Sequence, residues 1–332
     1  MNRKLTVVLT SILLTGLSPL TMAGEADDAS VVEKIVEVQH DLFDGPRQGL
    51  RSNHTKGIVA TGSFTPATEA KSISTASHLQ DAITPVTVRF SNSTGFPDIE
   101  DNNPKALVKG MAVRFDLGDE FYHDLVLSSV PRFPVATPEK FLELLTAIRD
   151  SANSEASQKP IETFLSEHPA AKEFVNYPKP YPKSFATLSY HGINAFEFTN
   201  ADGASVFGRY IVSPATDEPN LSEADGKLQD ADYLIEELPD RLQSSAVVMR
   251  LSVQIAQADD VVNNATVIWP EDRPVVELGV IRLTAMHDDA AAYQKATMFN
   301  PLALPEGIAP SEDPILLARP GAYAVSFQHR LD

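Results

Sequence analysis

Apolar residues recur along the chain at two spacings, which predict two kinds of element. In Val31–Val38 they return every three to four residues, the pattern of an amphipathic helix. Short runs rich in Val, Ile, Leu and Phe, bounded by polar, Gly or Pro residues, are typical of strands. The predicted strands are Gly57–Phe64, Val86–Phe90, Ala112–Phe115, Asp124–Val130, Ala195–Phe198, Val206–Val212, Val247–Ile255, Thr266–Ile268 and Leu278–Leu283.

Three later segments predict further helices. Thr137 and Pro138 form a helix start ahead of the apolar positions in Phe141–Ile148. Ile161–Val175 and Asp232–Leu242 are the other two. Many strands accompany few helices, and no regular βαβ alternation is present. The pattern therefore favours an α+β barrel over a doubly wound sheet.

The first residues have the pattern of a secretory signal peptide. Arg3 and Lys4 precede the apolar run Leu5–Leu20, and Ala23 ends a short stretch suited to cleavage before Gly24. A membrane anchor is the alternative, but a run this short that contains Gly and Pro is a poor bilayer span. We expect export, to the periplasm, and a mature chain of residues 24–332. That chain shows no repeat or flexible linker, so a single domain is expected.

Charge and composition exclude several classes of function. The formal net charge is −18, and removal of the two basic residues of the signal peptide makes it −20. A chain this acidic is repelled by nucleic acids and by anionic membranes. The chain contains no Cys, which excludes thiolate catalysis, Cys-ligated haem, iron–sulfur clusters and Cys-based zinc sites.

General catalytic motifs are missing from the sequence, but one histidine has unusual neighbours. The eight histidines form no HExxH arrangement, and no Walker loop, GxGxxG or GxSxG motif is present. His54 lies between Arg51 and a glycine-bearing predicted strand. Other arginines stand in apolar segments, at Arg89, Arg319 and Arg330. Because burying an unpaired guanidinium is costly, these arginines require anions, such as the propionates of a haem.

With these residues the chain resembles the haem catalases, and most closely the small catalase-related peroxidases. The resemblance rests on motifs that follow the family's order over nearly the whole chain. They are RxxHxKG at 51–57, RFS at 89–91, GMAVRF at 110–115, DLV at 124–126, DYL at 232–234, IWP at 268–270, ELG at 277–279, GIAPS at 307–311, and RxxxY with a later arginine at 319, 323 and 330. The resemblance implies an antiparallel β-barrel with surrounding helices and a haem cofactor of b type.

The resemblance also assigns roles on the two sides of the haem. Tyr323 would bind the iron as a phenolate, stabilised by Arg319 one helical turn earlier. His54 would move a proton between the two peroxide oxygens, so that water leaves and a ferryl species forms. From the residues alone, the alternative that Tyr323 and Arg319 only pack in a core helix stays open.

The remaining assignments concern groups that hold the ring and the distal histidine. Arg51, Arg89 and Arg330 match the arginines that bind the propionates, for which surface salt bridges are the alternative. Ser91 matches the hydroxyl that orients the distal histidine. Phe141 falls near the aromatic residue that lies over the ring.

Two positions depart from the pattern of the large catalases. The residue before the distal histidine is usually small and apolar, and here it is Asn53. The usual distal asparagine aligns with Ser129, which weakens the expectation of efficient dismutation and leaves Asn53 as a partial substitute. The chain ends two residues after Arg330, without the further domain or the threading arm of the large catalases. We therefore expect a more open haem edge, accessible to organic donors.

These observations predict a haem peroxidase with weak catalase activity. It would reduce H₂O₂ or organic hydroperoxides with a small organic electron donor. Rearrangement of fatty-acid hydroperoxides and non-enzymatic haem binding are the alternatives. His54 argues against simple storage, which needs no distal acid or base.

Overall fold

The computed structural model describes residues 29–331, so the predicted signal peptide at 1–23 lies outside the described residues. Its strands all pair antiparallel in one sheet. They are β1 (Gly57–Pro66), β2 (Thr84–Asn92), β3 (Lys109–Gly118), β4 (Phe121–Ser128), β5 (Tyr190–His191), β6 (Phe196–Thr199), β7 (Ser205–Pro214), β8 (Val247–Ile255), β9 (Val275–Met286) and β10 (Ile308–Pro310).

The sheet closes into a barrel. Its order is β10-β6-β7-β5-β4-β3-β2-β1-β9-β8, and a further pairing of β7 with β8 joins the ends of the last eight strands in this order. Because side chains alternate along a strand, β2 sends Val86, Val88 and Phe90 into the barrel core and Arg89 and Ser91 to the outside. The predicted α+β barrel is confirmed.

The helices lie outside the barrel. They are α1 (Val31–Leu42), α2 (Ala70–Ile73), α3 (Pro138–Ala152), α4 (Pro160–Glu167), α5 (Pro169–Asn176), α6 (Glu223–Lys227), α7 (Tyr233–Ser244), α8 (Ala290–Ala296) and α9 (Pro314–Leu331). A capping box of Ser30 and Glu33 starts α1, and the Thr137 side chain caps α3. Among residues 29–331, no helix combines the length and apolarity needed to span a bilayer.

Two predicted elements differ in the structure. The single helix expected over Ile161–Val175 is divided into α4 and α5 at His168, because Pro169 disfavours the helical conformation of the residue before it. Thr266–Ile268 is not a strand. The Asn264 side chain accepts hydrogen bonds from both the amide and the hydroxyl of Thr266, at 2.9 and 2.8 Å, and holds this segment in a turn.

The outer face of β2–β4 carries the feature that positions the site. Ser91, Gly110 and Ser128 align across the three strands. Arg89 and Ala112 belong to the next outward row. Helix α9 lies opposite this face, with α1 and α3 packed beside it. The small residues leave space between the sheet and the helix, and two adjoining cavities occupy this space.

Candidate active site

Two adjoining cavities between α9 and the outer face of β2–β4 hold most of the predicted site residues. Both cavities are lined by His54 and Tyr323, which come from opposite ends of the described chain. Arg51, Arg89 and Arg330 line one cavity, whereas Asn53 and Phe141 line the other. The fold thus brings together residues more than 250 positions apart in one pocket.

His54 is held by the backbone and by two hydroxyl groups. It follows α1 with a φ of +54°, a conformation that is uncommon for a residue other than glycine. Its Nδ1 lies 3.0 Å from Ser91 Oγ, and its Nε2 lies 3.3 Å from Ser93 Oγ. A Cβ on Gly110 would lie 2.6 Å from His54 Nδ1, so only glycine leaves room for the ring at this position. Asn53 Oδ1 accepts a hydrogen bond from the His54 amide at 2.9 Å.

The surroundings of His54 keep its imidazole neutral. Burial, with smaller contributions from three nearby arginines, lowers the pKa of His54 from its ordinary 6.5 to about 3. At neutral pH the ring therefore has one nitrogen with a proton and one without. If Nδ1–H donates to Ser91, the unprotonated Nε2, beside the Ser93 hydroxyl, can accept a proton from a molecule in the cavity.

Tyr323 and Arg319 belong to a hydrogen-bonded chain anchored at the start of α9. Arg319 Nε donates to Tyr323 Oη at 3.0 Å, and Arg319 Nη1 donates to Asn194 Oδ1 at 2.7 Å. Asn194 Nδ2 in turn donates to Asp313 Oδ2 at 2.9 Å. Asp313 also accepts from the amide of Ile315 at 2.9 Å. The guanidinium is thus fixed beside the phenol oxygen.

Three arginines form a cluster of uncompensated positive charge at one end of the site. Among residues 29–331, no carboxylate lies within 4.0 Å of Arg51, Arg89 or Arg330. Arg51 and Arg330 both donate to the carbonyls of Gln294 and Thr297. Arg330 is only 2% exposed, and its Nε has no hydrogen-bond partner among the described residues.

The pKa values of the three arginines reflect this arrangement. Burial lowers the pKa of Arg89 to about 9, with a further contribution from Arg330. Burial also lowers the pKa of Arg330 to about 10, and that of Arg51 well below its ordinary value. Such clustered charges destabilise the protein unless an anion binds between them. The cluster is therefore a site for an anionic group.

One predicted site residue lies elsewhere. Ser129 follows the end of β4, and its Oγ accepts a hydrogen bond from the Lys109 amide at 2.9 Å. It lines a different cavity, together with Thr187 and His191. Ser128 shares the outward row of β4 and lines the cavity of His54. The distal-wall assignment of Ser129 is therefore corrected to Ser128, one residue earlier.

Sequence reasoning missed further residues of the site. Ser93 was detectable, because it lies two residues after Ser91, and a strand that continued would place both on one face. Asn194 had no local signal, since it is 125 positions from the Arg319 that it binds. Phe141, on α3, lines the same cavity as Asn53 and His54, and the centre of its ring lies 4.9 Å from that of Phe133.

Comparisons with known proteins show which family the chain resembles in sequence and in fold. The family model described as catalase matches residues 23–332. A catalase-related peroxidase of Synechococcus elongatus is 33% identical over 292 residues, which cover 86% of this chain and 85% of the relative. A catalase-related peroxidase of Mycolicibacterium paratuberculosis is 33% identical over 289 residues, covering 86% and 90%. The solved structure of a bacterial catalase aligns with a TM-score of 0.74 at 22% identity, over 100% of this chain and 68% of that one, which shows the shared fold.

Proposed function

Because the chain belongs to the catalase family, we propose that it is a haem-dependent peroxidase with weak catalase activity. It reduces H₂O₂ or organic hydroperoxides at the expense of an organic electron donor. The observation that carries the proposal is the shared pocket, in which a neutral histidine and an arginine-bonded tyrosine lie beside three arginines that have no carboxylate partner among residues 29–331. The two relatives, both called peroxidases, favour reduction over rearrangement or storage.

The residues of the pocket fit a haem. Arg51, Arg89 and Arg330 would bind the two propionates, which supply the missing negative charges, and the unpartnered Nε of Arg330 is available to them. Tyr323 would be the protein ligand of the iron. A chain without Cys has no thioether attachment, which excludes a c-type haem, and the proposal takes the haem to be of b type. When bound, the haem supplies an iron that passes oxidising equivalents from the peroxide to the donor.

Arg319 prepares Tyr323 for its role. An unperturbed tyrosine ionises near pH 10, so a phenolate ligand needs a nearby cation. The hydrogen bond from Arg319 Nε supplies that cation, and Asn194 and Asp313 hold the guanidinium in place. Arg319 would balance the negative charge of Tyr323 as a ligand of the iron.

His54 moves the proton that peroxide cleavage requires. Its neutral Nε2 accepts a proton from one peroxide oxygen and returns it to the other, which leaves as water from H₂O₂ or as an alcohol from an organic hydroperoxide. The contacts of Ser91 and Gly110 fix the ring for both transfers. In the full reaction a hydroperoxide takes up two electrons and two protons to give an alcohol and water. With H₂O₂ the products are two waters.

The test of this function uses the haem-loaded protein with H₂O₂ and a reducing aromatic dye. The wild type should oxidise the dye only when peroxide is present. His54→Ala should lower the peroxide-dependent rate about 10²- to 10⁴-fold, the usual contribution of a positioned acid/base. His287→Ala, which changes a histidine outside both cavities, is the matched control. Equal rates in His54→Ala and wild type would remove His54 from the proposed mechanism.

Export remains part of the proposal. The family match begins at residue 23, next to the predicted cleavage site, which supports a leader ahead of the catalase-like region. The intact mass of the protein recovered from a periplasmic extract tests this. We expect the mass of a chain that begins at Gly24. The mass of a chain that still includes residues 1–23 would contradict export with cleavage.

A further inference from the structure

The face that carries the site continues beyond it. The outward side chains of β2 are Ser91, Arg89 and Thr87 in that order, and Thr87 pairs with Arg114 of β3. Ser91 and Arg89 line the site cavity that also holds Arg51 and Arg330, which we call the haem pocket. Thr87 and Arg114 line a separate cavity of about 350 Å³. At ~3.4 Å per strand residue, Thr87 lies roughly 7 Å along the strand from Arg89. We call this cavity the tip groove, and its main walls are Thr87, Arg114, Phe121, Tyr122 and Tyr293.

The tip groove presents aromatic rings to solvent. Phe121 is 73% exposed and Tyr122 is 36% exposed, at the start of β4. The Arg114 guanidinium carbon lies 3.8 Å from the centre of the Tyr122 ring. Arg114 is itself fixed by two hydrogen bonds to Asp124, at 2.8 and 2.7 Å. A rigid cation over one of two exposed rings in the same groove makes a surface that suits another aromatic ring.

The turn that carries these rings is a tight hairpin. Gly118, Asp119 and Glu120, between β3 and β4, all have positive φ, at +81°, +50° and +65°. A two-residue hairpin turn of this kind needs positive φ at both central residues, a conformation that Asp adopts more readily than most residues other than glycine. The turn places Phe121 at the start of β4, where it lines the groove.

Aromatic contacts link the tip groove to the haem pocket. The Tyr293 ring, from α8, lies 6.5 Å from the ring of Phe299. The Arg114 guanidinium carbon is 5.2 Å from the same Phe299 ring. Phe299 lines the haem pocket at the end that holds Arg51 and the other cluster arginines. A molecule in the groove is therefore separated from the pocket by little more than these side chains.

Charge restricts what the groove can bind. Asp124 neutralises Arg114, and the carboxylates of Asp116 and Glu120 stand exposed at the rim. The whole chain carries a net charge of −18. An anionic reductant is therefore repelled, whereas a neutral or cationic aromatic molecule is accepted.

We propose that the tip groove is the docking site of the electron donor, and that the donor is a neutral phenol or an arylamine. The inference rests on the proposed peroxidase function. Two phenols each lose one electron and one proton to become phenoxyl radicals. The hydroperoxide takes up both electrons and both protons, its O–O bond breaks, and an alcohol and water leave.

The test uses haem-loaded protein with a methoxyphenol as the aromatic probe and ascorbate as the anionic one. Tyr122→Ala and Phe121→Ser should each raise the KM for the methoxyphenol about tenfold, because a ring contact is lost. The rate with ascorbate and the affinity for cyanide at the iron should not change. Leu228→Ala removes a side chain that is 82% exposed and lies outside the groove, and it serves as the matched control.

A second measurement does not depend on turnover. The ferric iron should broaden the NMR signals of the methoxyphenol in the wild type, and this broadening should be lost in Tyr122→Ala and in Phe121→Ser. Unchanged broadening and an unchanged KM in both variants would overturn the docking site. A wild type that binds the probe but oxidises no donor with peroxide would instead contradict the proposed function and leave the docking site standing. Phe121 is exposed, so Phe121→Ser tests the site even if Tyr122→Ala folds poorly.

Discussion

Arg319 Nε donates a hydrogen bond to Tyr323 Oη at 3.0 Å, between residues one turn apart on α9. The same guanidinium reaches Asn194, whose amide is held by Asp313. A phenol oxygen in this position has a permanent positive charge beside it before any iron binds. If Tyr323 binds iron as a phenolate, this guanidinium would balance its negative charge.

Loss of this charge should weaken the proposed ligand. In Arg319→Gln we expect the affinity for ferric haem to fall about 10- to 100-fold, since a charge-assisted hydrogen bond contributes ~1.5–3 kcal/mol. Arg319→Lys keeps the charge and should lose less affinity. Haem transfer to apomyoglobin at a fixed pH measures this. The same affinity in all three proteins would show that Arg319 does not act on the ligand.

The arginine cluster should make stability and haem binding change in opposite directions. Arg330→Met removes one buried charge, while Arg51 still bonds to the carbonyls of Gln294 and Thr297. The haem-free protein should then become more stable, by about 1–3 kcal/mol. Haem affinity should fall about 10- to 100-fold, because one charge-assisted propionate contact is lost. Thermal unfolding and haem transfer to apomyoglobin measure the two effects, and a fall in both would contradict the propionate assignment.

Ser93 should act on catalysis through His54. Its Oγ lies 3.3 Å from His54 Nε2, on the opposite side of the ring from Ser91. We expect Ser93→Ala to slow the reaction with H₂O₂ about tenfold and Ser93→Thr, which keeps the hydroxyl, to restore most of the rate. In a His54→Ala background, Ser93→Ala should have no further effect. Additive losses in the double variant would show that Ser93 acts independently of His54.

Buried histidines should make the fold sensitive to acid. His78 Nε2 and His123 Nδ1 lie 3.3 Å apart in the barrel core. Burial lowers the pKa of His78 to about 3 and that of His123 well below its ordinary value. Between pH 6.5 and about 3 the unfolded chain binds protons that the folded chain does not, so the free energy of unfolding falls as the pH falls. Each such histidine contributes at most ~1.4 kcal/mol per pH unit.

His78→Phe removes one of these two groups and keeps a ring of suitable shape beside Phe64 and Phe115. Its free energy of unfolding should therefore fall less steeply with pH than that of the wild type. Urea unfolding at pH 7, 5.5 and 4.5 measures the slopes. Parallel pH profiles would show that His78 is not neutral in the folded protein.

The sequence predicted the fold more reliably than the register of single residues. Barrel strands such as β2 have strong apolar patterns, and α1 and α3 begin at recognisable caps. The serine on the distal wall was misplaced by one position, at Ser129 instead of Ser128. A shift of one residue moves a side chain to the other face of a strand, and no local pattern near the end of β4 fixes that choice.

Long-range contacts could not be predicted from the sequence, for a different reason. Asn194 joins the Arg319–Tyr323 pair only because β-barrel closure brings the segment before β6 next to α9. Likewise, the absence of carboxylates around Arg51, Arg89 and Arg330 within residues 29–331 is a property of the packed protein. In the sequence these arginines are compatible with surface salt bridges, since acidic residues outnumber basic ones.

The absorption spectrum of the ferric protein in Tyr323→Phe tests the central claim most directly. The wild type should show the charge-transfer absorption of a phenolate bound to ferric haem, and Tyr323→Phe should lose it. Tyr293→Phe, a change on α8 outside the haem pocket lining, should keep it. A Tyr323→Phe protein that binds haem with an unaltered spectrum would contradict the assignment of Tyr323 as the iron ligand.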